Sequence, residues 1–99
     1  MSKDIKSKFT DQFFEAILQL EDKDECYRFF KDVATISEIK ALGQRLEVAK
    51  MLKKGITYEK IVDKTGVSTA TISRVKRALD YGEDGYNLVL ERMGITSEK

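Results

Sequence analysis

The stretch from Gly55 to Leu79, GITYEKIVDKTGVSTATISRVKRAL, decides how this chain folds. It reads as two short helices joined by a three-residue turn. Ile61 and Val62 are the apolar residues of the first helix, and Val67, Ile72 and Val75 follow as the buried side of the second. Gly66 stands where the chain must turn, because a positive φ ends a helix most easily at glycine. Ser68 is placed to cap the second helix and Thr57 the first. Lys60 and Thr71 occupy the positions where a capping box would carry Glu or Gln, so neither cap is a full box. A helix-turn-helix of this kind makes double-stranded DNA the expected partner.

At 100° per residue the second helix of the pair divides into three stripes. Ile72, Val75 and Leu79 point inward. Thr69, Ala70, Ser73 and Arg77 lie on the opposite side, where Thr69 and Ala70 offer methyl groups to thymine, Ser73 a hydroxyl and Arg77 a charge. With the caps and flanking residues, the candidate DNA contacts are Thr57, Tyr58, Ser68, Thr69, Ala70, Ser73, Arg74, Lys76 and Arg77. Thr71, Arg74, Val75 and Ala78 form the third stripe, spaced to face a neighbouring helix. Two readings of that stripe stay open. Arg74 and Arg45 line a small effector pocket for a carboxylate or phosphate with Thr71, Val75 and Ala78, or Arg74 contacts the DNA backbone while Arg45 pairs with Glu47, Asp63 or another acid.

Charge travels with the motif. Residues 40–79 hold ten Lys or Arg against three acids, a local +7, whereas the remainder holds eight basic and fourteen acidic residues, a local −6. The formal net charge of +1 therefore hides a basic segment suited to phosphate and an acidic remainder that limits non-specific attachment.

Outside the motif the pattern is helical throughout. A first helix is expected from about Thr10 to Leu20, with Phe9, Phe13, Ile17 and Leu20 in one stripe and Phe14 and Leu18 widening it. A second, capped by Asp22 or Asp24, carries Cys26, Phe29, Phe30 and Val33, with Tyr27 and Ala34 at its edges. A third, from about Ser37 to Lys54, holds Ile39, Leu42, Leu46 and Ala49 in line and is closed by Gly55. After the break YGEDGY comes a last helix with Leu88, Val89, Leu90 and Met93. The expected fold is all-α with six helices, a single domain over residues 9–94 with the helix-turn-helix at 57–79, and flexible ends at 1–8 and 95–99.

The first two helices are apolar on more than one side, which a small monomer does not cover, so a homodimer is expected to share them. A twofold axis then sets two recognition helices about 34 Å apart, one turn of B-DNA, and the operator becomes an inverted repeat.

The chain of 99 residues contains no His, no Pro, no Trp and one Cys. Those absences remove His-based acid/base catalysis, His/Cys zinc sites and intrachain disulfides, and no nucleophile, base and orienter converge, so neither an enzyme nor a metal or cofactor site is expected. There is no run of 18 apolar residues and no apolar leader in MSKDIKSKF, which implies a cytoplasmic protein without membrane attachment. Cys26 is then expected as a small buried hydrophobe.

The stretch ALGQRLEVAKMLKKG at 41–55, followed by TYEKIVDKTGVSTATISRVKRAL at 57–79, resembles the tryptophan repressor superfamily, and ECYRFF with YGEDGYNLVLERM is similar to its YerC/YecD subgroup. The likeness covers roughly residues 10–93. It implies an intertwined, TrpR-like all-helical homodimer whose recognition helices project from a shared core to regulate transcription. In that family the effector ring lies between two arginines at positions that match Arg45 and Arg74, with Thr71 also kept. Val75 replaces a glycine that gives the indole space, and Ala78 replaces a serine near the amino group, so L-tryptophan is not the expected effector. Glu59 stands where the family is basic and touches DNA. The expected function is a sequence-specific DNA-binding transcriptional regulator, with repression the favoured direction. The alternative is a helical protein-interaction module without operator specificity, which Glu59 favours.

Overall fold

The computed structural model describes residues 5–97. Its elements, in chain order, are α1 Lys8–Ile17, α2 Lys23–Val33, α3 Ile36–Lys53, α4 Tyr58–Thr65, α5 Thr69–Tyr81 and α6 Gly85–Arg92. No strand occurs among the described residues, and the all-α, six-helix architecture is the one the apolar periodicity implies. The chain divides into two compact units, with the boundary between Ile39 and Lys40, inside α3.

In the first unit, side-chain caps set the helix starts. Ser7 accepts the Thr10 N–H at 3.1 Å and opens α1 two residues before the expected start. Of the two candidate caps for α2, Asp22 is the one used, accepting the Glu25 N–H at 2.9 Å. Phe13 packs against Phe29 and Phe30 with ring centroids 5.9 and 6.3 Å away. Even so, no residue of α1 or α2 is buried, and Phe9 and Leu18 are 82% and 80% exposed. A unit this short has too little chain to enclose an interior. Cys26 is exposed for the same reason, against the expectation of a buried thiol.

The second unit has a continuous core. Val48, Ala49 and Met51 of α3 meet Ile61 of α4, Ile72 and Val75 of α5 and Leu90 of α6, all with exposures of 0–4%. Burying each larger aliphatic side chain contributes about 1.5–3 kcal/mol, so this cluster is what holds α4 and α5 in place. Gly55 ends α3 as expected, at φ 77°. Gly66 ends α4 at φ 77°, the left-handed conformation that the three-residue turn to α5 requires. Gly82 has a different reason: a Cβ there would lie 2.5 Å from the Ala78 carbonyl oxygen.

Lys8 opens α1, and Ile95, the first residue of the tail expected to be flexible, packs on the core and donates its N–H to the Leu90 carbonyl at 2.8 Å. Residues 1–4 and 98–99, which belong to the ends 1–8 and 95–99 expected from sequence to be flexible, lie outside the described residues. Among the described residues no helix is long and apolar enough to cross a membrane.

Candidate nucleic-acid interface

The α4–α5 pair is locally self-consistent. Thr57 accepts the Lys60 N–H at 3.3 Å and Ser68 accepts the Thr71 N–H at 3.1 Å, so both residues serve as N-caps. The Ser68 hydroxyl also donates to the Thr71 hydroxyl at 3.2 Å. In the turn, the Thr65 hydroxyl donates to the Ile61 carbonyl at 2.7 Å and accepts the Val67 N–H at 3.3 Å. With the backbone groups bonded within the turn, α5 starts from a defined point.

Burial then sorts α5 by face. Ile72 and Val75 are buried, Thr71, Ala78 and Leu79 half-buried, and Thr69, Ala70, Ser73, Arg74, Lys76 and Arg77 exposed. The exposed set contains every α5 residue expected from sequence to touch DNA. At the N-terminus of α4, Tyr58 is 37% exposed, and Glu59 beside it is fully outside the core. Small side chains near the start of α5 and cations further along it make a surface that a helix can present to a groove.

The three cations of that face differ. Arg74 and Arg77 have no ion pair among the described residues, whereas Lys76 Nζ lies 2.7 Å from the Asp80 carboxylate, one helical turn away. The hydrogen bond from Lys76 to Asp80, and then the charge of that carboxylate, hold the ammonium above the usual lysine range. Asp80 is a neighbour of the site that the apolar and basic patterns do not single out, although its i,i+4 spacing from Lys76 is a signal that could have found it.

Of the residues expected to line an effector pocket, Val75 is buried, Thr71 and Ala78 are half-buried and Arg45 and Arg74 are exposed. Val75 is 3% exposed and its side chain belongs to the core. Arg45 forms no ion pair among the described residues, and Glu47, one of its expected partners, lies 3.7 Å from Lys50 instead. An open groove of about 420 Å³ does occur beside α5, lined by Leu46, Ala78, Glu83, Gly85, Tyr86 and Val89. Of the five pocket candidates, Ala78 is the one that lines it.

Among the described residues no group of three or more Cys, Asp or Glu is placed to hold a metal ion. The site offers shape, hydroxyls and guanidinium charge.

Residues 8–94 match the family described as Trp repressor protein. The chain is 58% identical over 89 residues to the protein YerC of Bacillus subtilis (strain 168), a match spanning 90% of this chain and 86% of that one. The crystal structure of a candidate Trp repressor from Staphylococcus aureus superposes with a TM-score of 0.90 at 52% identity, over 94% of this chain and 93% of its own. A TrpR-like protein from Eubacterium eligens ATCC 27750 gives 0.91 at 55% identity, over 97% of this chain and 99% of its own.

Proposed function

Because this chain belongs to the Trp repressor family, whose members are DNA-binding regulators rather than enzymes, we propose that it is a transcriptional regulator that acts as a homodimer on an inverted-repeat operator. The observation that carries this reading is the free outer face of α5: Thr69, Ala70, Ser73, Arg74 and Arg77 are all exposed on a helix whose other side is anchored by Ile72 and Val75. The small residues near the helix start let it approach base edges, while Arg74 and Arg77 meet phosphates or guanines. Tyr58, with Thr57 fixing the start of α4, adds a backbone contact, and Lys76 supplies a further charge.

The first unit supports the dimer. Its aromatic face has no buried residue, and a second copy of the same arm is the surface that matches it. Two copies of α5 about 34 Å apart then read two half-sites. L-Tryptophan is not the effector in this reading, because Val75 is packed into the core where an indole would need room.

Fluorescence anisotropy against genomic fragments across a salt series tests the proposal. A selective fragment should bind, and Arg77→Ala should weaken it and flatten the salt dependence by about 0.9 for each phosphate that is no longer neutralised. Binding that never becomes selective, joined with stoichiometric capture of a protein partner, would instead favour the protein-interaction reading suggested by Glu59.

A further inference from the structure

We propose that Asp80 acts through Lys76 as a built-in competitor for DNA phosphate, holding the lysine along the helix and thereby setting how tightly the α5 surface grips a duplex. The inference rests on the DNA-binding reading above, and it concerns a residue outside the expected contact set.

Geometry supplies the first support. The Lys76 Nζ to Asp80 Oδ2 distance is 2.7 Å, the shortest of the three ion pairs among the described residues, the others being 3.7 and 3.9 Å. Both side chains remain partly open, at 48% and 41% exposure, so solvent or a phosphate reaches the pair. The carboxylate is a charge-matched substitute for a phosphate oxygen, and a lysine that donates to one donates less to the other.

Helix energetics supply the second. A carboxylate in the last turn of a helix faces the negative end of the macrodipole and is locally unfavourable. The last turn of α5, like that of α1, carries no basic residue, and it holds Asp80. The macrodipole of α5 therefore does not account for an acid at this position. Its pairing with Lys76, on the face that carries Arg77 and Ser73, does.

The consequence is graded affinity. A duplex must displace Asp80 before Lys76 can release a counterion, so the lysine contributes little to non-specific binding, and Arg74 and Arg77 carry more of the discrimination. One phosphate contact changes affinity by about 3.5-fold between 50 and 200 mM salt, which sets the size of the effect to look for.

The experiment uses the full chain and a fluorescein-labelled duplex of mixed sequence, since phosphate contacts do not depend on an operator. Anisotropy titrations from 50 to 200 mM salt compare wild type, Asp80→Asn, Lys76→Ala, the double variant of these two and Arg77→Ala, with circular dichroism confirming that each is folded. Asp80→Asn should bind about three- to tenfold more tightly at 50 mM salt, with a slope steeper by about 0.9 per engaged subunit. In the Lys76→Ala background the gain from Asp80→Asn should fall to less than half. An equal gain in both backgrounds would make it a general effect of removing a negative charge and overturn the assignment. Wild-type binding that Arg77→Ala weakens, with Asp80→Asn no tighter than wild type, would overturn it while leaving the DNA-binding reading intact. No binding by wild type or Asp80→Asn at 50 mM salt would overturn both.

Discussion

Lys53 Nζ donates to Asn87 Oδ1 at 2.7 Å, joining the last turn of α3 to α6. The same Asn87 amide donates through Nδ2 to the Leu79 carbonyl at 3.3 Å and to Asp84 Oδ1 at 2.8 Å. One half-buried side chain thus connects α3, the end of α5 and the turn before α6. Each such bond is worth about 1 kcal/mol net, and a partner left unpaired costs more. Asn87→Ala should therefore destabilise the fold by about 1–3 kcal/mol, and Lys53→Met by less, in urea unfolding at fixed protein concentration.

Two glycines separate backbone strain from steric conflict. A Cβ at Gly66 meets nothing within 4 Å, so Gly66→Ala incurs only the cost of the left-handed conformation, about 1–2 kcal/mol, and Gly66→Asn should lose less. At Gly82 the added Cβ meets backbone atoms of Ala78, so Gly82→Ala should be the more damaging change and shorten α5. Thermal unfolding of the three variants ranks them.

Thr35 and Glu38 form a reciprocal capping box at the start of α3. The Thr35 N–H donates to the Glu38 carboxylate at 2.8 Å and the Glu38 N–H donates to the Thr35 hydroxyl at 3.0 Å. The backbone hydrogen bond from Thr35, and then its side-chain hydrogen bond, hold the Glu38 carboxyl below its ordinary value of 4.5. Its contribution is complete above that value and is lost as pH falls through the lowered folded value. Glu38→Gln should remove this part of the acid dependence, read as a smaller loss of stability between wild-type and variant titrations below about pH 4.5.

Leu18 and Phe9, at 80% and 82% exposure, are the most solvent-open large apolar residues of α1 and its edge. In the proposed dimer they are covered by the partner arm. Leu18→Glu should lower the mass measured by light scattering from dimer toward monomer at micromolar concentration, while Val89→Glu, a surface change in the second unit, tests whether the effect is specific to the arm. A wild-type chain that runs as a monomer would refute the shared arm.

Ligand linkage gives a further expectation. A molecule that binds only the folded protein raises its melting temperature, by an amount equivalent to about 2.7 kcal/mol at a hundredfold excess over Kd. L-Tryptophan at millimolar concentration should leave the melting temperature unchanged. A shift abolished by Arg45→Ala or Arg74→Ala would show that those arginines form an effector site despite the packing of Val75.

Local signals suffice for the helices and for the burial pattern of α5. The caps Thr57, Ser68 and Asp22, the glycines at 55 and 66 and the inward stripe of Ile72 and Val75 all follow from rules that reach only a few residues along the chain. The pocket grouping of Arg45, Thr71, Arg74, Val75 and Ala78 goes further than those rules allow. Val75, one of that group, packs in the core with residues of α3, and no spacing rule along α5 specifies which further groups it meets. Cys26 departs from expectation for the complementary reason: apolar periodicity says which side of a helix seeks cover, but not whether the same chain supplies it.

Periodicity, capping and charge segregation, all short-range properties of the covalent chain, determined by themselves that this protein is six helices with a basic outward-facing helix in the second half. The tertiary structure decided that Asn87 ties three elements together, and that Phe9, Leu18 and Cys26 of the first unit remain exposed. These outcomes depend on which surfaces meet across long stretches of chain, and that competition among packing partners leaves no mark in the spacing of neighbouring residues.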